Sequence, residues 1–217
     1  MDPNARPSPP MHAPLRLHDT APDFNARTTM GTRSLASYEG RWLLLFSHPA
    51  DFTPVCTSEF IALSKAKAKF DALDCDLLAL SVDSLFSHLA WIRDIHARFG
   101  VALNFPIIED PSMEIAHGYG MVAHDAADSS TARATYLIDP RRIVRAISWY
   151  PMNVGRSVAE LLRLVSALQA VDKHGASTPE AWQPGQDMFE PVGTDAVEAL
   201  KLEPRKGESW YYRRRSI

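Results

Sequence analysis

The sequence predicts an α/β fold in which a central mixed sheet is flanked by helices. From residue 42 to residue 108, short apolar runs alternate with longer segments of helical periodicity, which is typical of strands joined by helices. Two later apolar runs, at 134–138 and 143–149, flank the turn Asp139-Pro140 and predict a hairpin. Part of the sheet should therefore be parallel and part antiparallel.

The individual elements follow from the spacing of apolar residues and from the turn residues between them. The expected order is a small hairpin in 15–38, a strand at 42–45, a helix at 58–73, an interior strand at 76–83, a helix at 85–99, a strand at 105–108, a short helix at 112–117, the late hairpin, and a helix at 158–171. Helix 85–99 should end at Gly100. Its predicted buried face consists of Leu85, Leu89, Ile92, Ile95 and Phe99.

Changes in composition divide the chain into three segments. Residues 1–14 contain five prolines and predict a flexible N-terminal arm. Residues 15–172 contain the predicted sheet and form the main domain. Residues 173–217 are rich in proline and bulky aromatics, yet they are too few for a core of their own, so we expect a small C-terminal domain that packs on another surface. The basic run at 213–215 is interpreted as a solvated tail.

Charge and cysteine content exclude several classes of protein. The chain has 217 residues, a net charge of -3 and a pI near 6.2, so neither nucleic acid nor a membrane surface is an expected partner. No apolar run suits a signal peptide or a bilayer span, and two cysteines do not make a disulfide framework. These features predict a cytoplasmic protein in which cysteine serves chemistry rather than a disulfide scaffold.

Cys56 occupies a position that favours reactivity. Thr53 followed by Pro54 is a typical N-cap and first helical residue, because proline lacks the N–H that this position cannot use. Cys56 would then lie in the first turn of the helix. The free backbone N–H groups and the positive end of the helix dipole both favour a thiolate there.

The same stretch resembles a known family. The spacing Pro49-x-x-x-Thr53-x-x-Cys56 matches the active-site motif of the peroxiredoxins, and residues 47–59 are similar to the one-cysteine, peroxiredoxin-6-like branch. Further segments match in the same order: 21–24, 80–84, 88–91, 105–108 and 133–140. The resemblance implies a thioredoxin-like fold, no cofactor, and a homodimer formed through the C-terminal domain, with higher oligomers left open.

The resemblance also implies roles for individual residues. Cys56 would attack a peroxide and become a sulfenic acid, and Pro49 would shield its thiolate. Thr53 would hydrogen-bond the peroxide, and the positive charge of Arg133 would favour the thiolate and polarise the O–O bond. His48 and Arg156 would support the site. Each residue also has a purely structural interpretation. Cys56 could be a buried apolar side chain, Pro49 a turn residue and Thr53 only a helix cap. Arg133 could be a solvated strand end, His48 a structural histidine and Arg156 an ordinary residue at a helix start. The spacing of His48 and Cys56 matches no standard zinc pattern, so no metal is expected.

Cys75 is interpreted as structural. It precedes a predicted interior strand, and its position matches no resolving cysteine of the family. The sulfenic acid on Cys56 is therefore expected to be resolved by an external thiol such as thioredoxin or glutathione. Hydrogen peroxide and organic hydroperoxides are the expected substrates.

Three other functions were weighed against thiol peroxidase chemistry. A general disulfide oxidoreductase needs a nearby dithiol, and Cys56 has no C-x-x-C partner. A phospholipase site of the Gly-x-Ser-x-Gly type is missing from residues 37–42, which hold no suitable serine nucleophile. A non-enzymatic interaction protein stays open as an additional role, but it would leave the helix cap and the arginines unexplained.

Overall fold

A computed structural model describes residues 14–122, 128–193, 195–201 and 207–217. The predicted N-terminal arm lies outside the described residues except for Pro14. The described residues divide into two compact units, the first ending at Arg156 and the second beginning at Ser157. Among the described residues, no helix is both long enough and apolar enough to span a bilayer.

The first unit is built on a seven-stranded mixed sheet, as the sequence predicts. Its strands are β1 (Asn25–Thr28), β2 (Gly31–Ser34), β3 (Trp42–Ser47), β4 (Cys75–Ser81), β5 (Ile107–Glu109), β6 (Arg133–Ile138) and β7 (Val144–Tyr150). They lie in the order β2-β1-β5-β4-β3-β6-β7. Strands β3, β4 and β5 are parallel, whereas the other pairs are antiparallel. Both expected hairpins are confirmed, and the first joins the sheet through β1 and β5.

The described residues of this unit form three α-helices, α1 (Pro54–Asp71), α2 (Leu85–Phe99) and α3 (Glu114–Gly118), and a short 3-10 helix at Leu35–Tyr38. Helix α1 begins as predicted, with Thr53 in an extended conformation at the N-cap and Pro54 at the start of the helix. The Thr53 side chain does not cap the helix, however. Its hydroxyl instead donates to the Ala50 carbonyl at 2.9 Å, so it closes the loop that leads into α1.

The predicted buried face of α2 is confirmed at Ile95 but wrong at Leu89 and Phe99. Leu89 and Phe99 are 42% and 55% exposed, and the side chains that the structure buries are His88, Trp91 and Ile95. A histidine and a tryptophan tolerate burial here because their ring nitrogens reach hydrogen-bond partners. The predicted end of the helix is confirmed, with Gly100 in the left-handed conformation at the C-cap.

The second unit contains α4 (Val158–His174), β8 (Met188–Phe189), α5 (Ala196–Lys201) and β9 (Arg214–Arg215). It has a small apolar cluster of its own, in which Trp182, 2% exposed, packs with Ala167, Ala176 and Met188. The basic run at 213–215 is solvated as expected at Arg214 and Arg215, but it is not a free tail. Residues 214–215 form β9, which pairs with β8, because main-chain hydrogen bonds hold this run in a strand.

Candidate active site

The carboxyl end of β3 and the start of β6 meet at one edge of the sheet because these strands are antiparallel. The Ser47 hydroxyl donates to the Ala132 carbonyl at 2.6 Å, and the Thr131 hydroxyl donates to the His48 carbonyl at 2.8 Å. These bonds fasten the end of β3 to the residues just before β6. Arg133, the first residue of β6, is thereby brought to the edge from which the chain enters α1.

Cys56 lies in the first turn of α1 and is fully buried. Arg133 donates a hydrogen bond from Nη1 to the Cys56 Sγ at 3.3 Å. The guanidinium is also almost entirely buried, with 2% of the residue exposed. A permanent positive charge therefore contacts the sulfur where water does not screen it.

Two neighbours fix the plane of the Arg133 guanidinium. Its Nε and Nη2 donate to the Met152 carbonyl at 2.9 and 2.7 Å, and Nη1 also donates to Glu59 Oε2 at 3.0 Å. A guanidinium has five N–H hydrogens, and these contacts with the Cys56 contact use four of them. Within the described residues, the second hydrogen on Nη2 has no partner.

Arg156 joins the same group through Glu59. Its backbone N–H and its Nε donate to Glu59 Oε1 at 2.7 and 2.9 Å, and its Nη2 donates to Oε2 at 2.8 Å. Nη1 donates to the Ala134 carbonyl at 2.9 Å and to Thr135 Oγ1 at 3.2 Å. The guanidinium also lies over the Phe46 ring, 5.0 Å from its centroid.

Glu59 is one turn beyond Cys56 and accepts hydrogen bonds from both arginines. Burial opposes its ionisation, but the hydrogen bonds and the charge of Arg156 hold the pKa of Glu59 below its usual range. Two guanidinium groups and one carboxylate leave a net charge of about +1 in this buried group. A negative charge on the neighbouring sulfur would balance it.

The loop between β3 and α1 places the other predicted residues. Pro49 is buried directly after His48, and Thr53 is partly buried at the end of the loop. Between them Phe52 has a φ of 57°, which is unusual for a bulky side chain and strains the backbone. The Asp51 N–H donates to Asp83 Oδ2 at 3.0 Å and helps to hold this conformation.

An open pocket of about 420 Å³ borders the loop and α2. Its lining is mainly apolar and includes Phe52, Thr53, Pro54, Ile61, Trp91 and Phe99. Thr53 thus lines a pocket that is open to solvent, whereas Cys56, in the first turn of α1, is fully buried.

His48 belongs to a buried hydrogen-bond network with Asp51 and His88. His48 Nε2 lies 2.9 Å from Asp51 Oδ1, and His88 Nδ1 lies 2.8 Å from Asp51 Oδ2. His88 Nε2 lies 3.2 Å from the Ile108 carbonyl oxygen. Burial of Asp51 opposes its charge, but hydrogen bonds from His48 and His88 hold the pKa of this carboxyl well below its usual range.

Aromatic rings enclose the His48 imidazole beside α1. It stacks on Trp91 at 5.3 Å between centroids and meets the Phe60 edge at 4.8 Å, while Trp91 Nε1 donates to Thr57 Oγ1 at 3.2 Å. Burial lowers the pKa of His48. Its Nδ1 is buried and has no hydrogen-bond partner among the residues described.

His48, Asp51 and His88 are the types of side chain that ligate metals, and their ligand atoms lie within 4.8 Å of one another. The facing atoms are already at hydrogen-bond distance, which leaves no space for a cation between them. This group is a hydrogen-bond network.

Cys75 has quite different surroundings. It is the first residue of β4, where it pairs with Trp42 of β3, and it is fully buried. Burial raises the pKa of the Cys75 thiol to about 12. Both cysteines are free thiols.

Sequence reasoning missed three residues of the site: Glu59, Asp51 and His88. Glu59 follows Cys56 by three residues on a predicted helix, which was a usable signal, since such residues share a helix face. Asp51 stands inside the motif. Only the fold shows that His88 of α2 reaches Asp51, because its burial was hidden by the more numerous aliphatic side chains of that helix.

Comparisons with known proteins agree on the family of the chain. Residues 17–147 match the model of the AhpC/TSA family, and residues 167–202 match the C-terminal domain of 1-Cys peroxiredoxin. A peroxiredoxin of Thermoplasma volcanium is 44% identical over 91% of this chain and 97% of its own length. Peroxiredoxin 2 of Thermoplasma acidophilum is 45% identical over 88% of this chain and 96% of its own.

Solved structures agree as well. A yeast mitochondrial 1-Cys peroxiredoxin, described with its thiol resolution by glutathione and thioredoxin systems, has a TM-score of 0.78 and 41% identity over 85% of this chain and 91% of its own. A cysteine-to-serine mutant of peroxiredoxin 6 from Arenicola marina has a TM-score of 0.81 and 31% identity over 93% of this chain and 98% of its own. The predicted thioredoxin-like fold is therefore confirmed. The chain belongs to the AhpC/TSA family of peroxiredoxins, thiol-dependent peroxidases, and resembles their one-cysteine branch.

Proposed function

We propose that Cys56 is the thiol that this peroxidase oxidises. The Cys56 thiolate attacks the terminal oxygen of a hydroperoxide, so that an S–O bond forms as the O–O bond breaks. The products are a sulfenic acid on Cys56 and an alkoxide or hydroxide, which takes a proton and leaves as alcohol or water. The observation that carries this proposal is the 3.3 Å contact between Arg133 and the Cys56 sulfur.

Charge balance supports a thiolate as the resting nucleophile. Arg133, Arg156 and Glu59 together bear about one excess positive charge in a buried site. An ionised Cys56 makes this group neutral, and the start of α1 adds the favourable end of the helix dipole. Arg156 contributes through Glu59, which it shares with Arg133.

Arg133 and Thr53 bind the peroxide in complementary ways. The hydrogen on Arg133 Nη2 that has no partner among the described residues is available to a peroxide oxygen and stabilises the charge on the departing oxygen. The Thr53 hydroxyl already donates its hydrogen bond to the Ala50 carbonyl, so its oxygen is left to accept a hydrogen bond from the peroxide. The apolar pocket beside Thr53 suits the organic part of a hydroperoxide.

Pro49 and His48, just after the end of β3, are the remaining residues of the proposed site. Buried Pro49 excludes water from the thiolate, which protects it from side reactions. His48 lies against the first two turns of α1, where its unprotonated Nδ1 is available as a hydrogen-bond acceptor beside the site.

An external thiol closes the cycle. Cys75 follows α1, and the helix from Cys56 to Asp71 alone spans about 22 Å at the usual rise per residue. With its pKa raised to about 12, Cys75 is a poor nucleophile. One external thiol displaces water from the sulfenic acid to give a mixed disulfide, and a second thiol releases Cys56 as the reductant becomes a disulfide. Thioredoxin and glutathione are the proposed reductants, which suits a protein of the cytoplasm.

Assembly into a homodimer through residues 173–217 completes the proposal. The second unit exposes large apolar side chains, including Leu200 at 87% and Tyr211 at 61%, which favours a partner surface. We predict that Leu200→Asp combined with Tyr211→Ser shifts sedimentation toward the monomer. The control is Leu17→Asp, an exposed site in the first unit, and an unchanged dimer in the double variant would reject this interface.

Peroxide consumption coupled to thioredoxin or glutathione tests the catalytic proposal. Cys56→Ser should abolish turnover, and Cys75→Ser should turn over like the unsubstituted protein. Without reductant, peroxide should add oxygen masses at Cys56 alone. Turnover retained in Cys56→Ser, or a Cys56–Cys75 disulfide together with lost turnover in Cys75→Ser, would contradict the proposal.

A further inference from the structure

The hydrogen bonds of His88 require hydrogens on both of its ring nitrogens. His88 Nε2 faces the Ile108 carbonyl oxygen, and Nδ1 faces Asp51 Oδ2. A carbonyl oxygen and an ionised carboxylate accept hydrogen bonds but donate none. A neutral imidazole has one N–H and would turn a lone pair toward one of these oxygens.

Asp51 is the ionised member of the network. Hydrogen bonds from the two histidines outweigh the effect of burial and hold the pKa of Asp51 below its usual range. Its Oδ1 faces His48 Nε2, so this nitrogen also carries a hydrogen. Three N–H groups then meet three acceptors, and every contact in the network is satisfied.

The charges fix the state of the remaining nitrogen, His48 Nδ1. A positive His88 and a negative Asp51 cancel, so a neutral His48 makes the buried group electrically neutral. A proton on His48 Nδ1 would add an uncompensated charge and a buried N–H that has no acceptor among the described residues. His48 Nδ1 is consequently held as a lone pair beside α1.

We propose that His88 is a positioning residue for the peroxidase site: its positive charge satisfies Asp51 and thereby keeps His48 Nδ1 free of a proton. His88 touches no reacting atom and acts through Asp51 and His48. This inference deepens the proposed function, on which it rests for the catalytic use of the lone pair.

Other charged groups near the network reinforce the need for His88. Asp51 and Asp83 face His48, and Glu109 acts on His88 from β5. Trp91 of α2 and Phe60 of α1, which enclose the His48 ring, are uncharged. If a neutral side chain replaces His88, the carboxylates act on His48 alone. His48 should then take up the proton that His88 no longer carries.

Nitrogen NMR of the histidine side chains in the full-length protein at neutral pH tests this directly. In the unsubstituted protein we expect His88 to show two protonated nitrogens and His48 to show a protonated Nε2 with an unprotonated Nδ1. In His88→Gln, His48 Nδ1 should become protonated, and the pH at which it releases that proton should rise. His96→Gln, an exposed histidine on the same helix, should leave His48 unchanged. His48→Gln assigns the signals.

Two results would overturn the inference: a His88 with one protonated nitrogen in the unsubstituted protein, or a His48 whose Nδ1 stays unprotonated in His88→Gln. The unsubstituted spectrum decides the first even if the variant fails to fold. Rates of Cys56 oxidation across pH add an independent readout, because the acid limb of the profile should move to higher pH in His88→Gln. A protein that consumes no peroxide but shows the expected nitrogens would reject the proposed function and retain this inference.

Discussion

Two buried carboxylates, Glu59 and Asp51, each lie between two basic side chains, yet they serve different ends. Glu59 binds Arg133 and Arg156, whose charges persist at every pH at which the protein is folded. Asp51 binds His48 and His88, whose protons depend on pH and on each other. The arginine group supplies a constant positive charge to the sulfur, and the histidine group sets where a proton resides.

The largest expected effect is the loss of the shared carboxylate in the arginine group. Glu59→Ala leaves two buried guanidinium groups without their counter-charge, and we predict a decrease of about 3–5 kcal/mol in the free energy of unfolding, measured by urea denaturation. Asp71→Asn removes the carboxylate of the partly exposed Lys67–Asp71 pair and should lower it by less than about 1 kcal/mol. Equal effects of the two substitutions would show that Glu59 does not anchor the arginines.

Arg133→Lys separates charge from geometry in the same group. Lysine keeps the positive charge, but a single ammonium cannot contact Met152, Glu59 and Cys56 in the planar arrangement of the guanidinium. We predict a decrease of roughly 10²-fold in the rate of Cys56 oxidation, measured by stopped-flow fluorescence, in a protein that stays folded.

Arg141→Lys provides the matched control, because the Arg141 side chain is 79% exposed, pairs with Asp139 in the turn after β6, and does not line the pocket beside Thr53. Its oxidation rate should equal that of the unsubstituted protein. If Arg133→Lys reacts at the original rate, the positive charge alone activates the peroxide, and the several N–H donors of the guanidinium are not required.

The smallest expected effect is on the pH dependence of the free energy of unfolding, to which the histidine group and the arginine group contribute in different pH ranges. Because burial lowers the pKa of His48, the folded state resists a proton that the unfolded chain accepts below about pH 6.5. The His48 contribution to stability is complete above that pH and declines as the pH falls toward the folded pKa, by up to about 1.4 kcal/mol per pH unit.

Denaturation between pH 5 and 7 measures this decline, and His48→Gln should remove the part that His48 contributes. Glu59 has a lowered pKa and an unfolded value near 4.3, so the stability from the arginine group should persist across this window and be lost only at more acidic pH. If the stability of His48→Gln declines between pH 7 and pH 5 as in the unsubstituted protein, a group other than His48 causes the decline.

The reach of sequence reasoning differs between these groups for a physical reason. Cys56 and Thr53 were located because a helix start has local rules of capping, and the fold class followed from apolar periodicity. The Asp51–His88 contact joins a loop to a helix 37 residues away, and nothing local in either segment specifies it. The buried face of α2 was misjudged because aliphatic spacing was weighted above a histidine and a tryptophan that find polar partners.

The burial of Cys75 makes this thiol a reporter of unfolding. Burial raises the pKa of the Cys75 thiol to about 12, so the reactive thiolate is scarce at neutral pH, and the residue is fully buried in the folded chain. An alkylating reagent should therefore label Cys75 only when the sheet opens. In a Cys56→Ser background the rate of alkylation would report how often the sheet opens, without introducing a new cysteine.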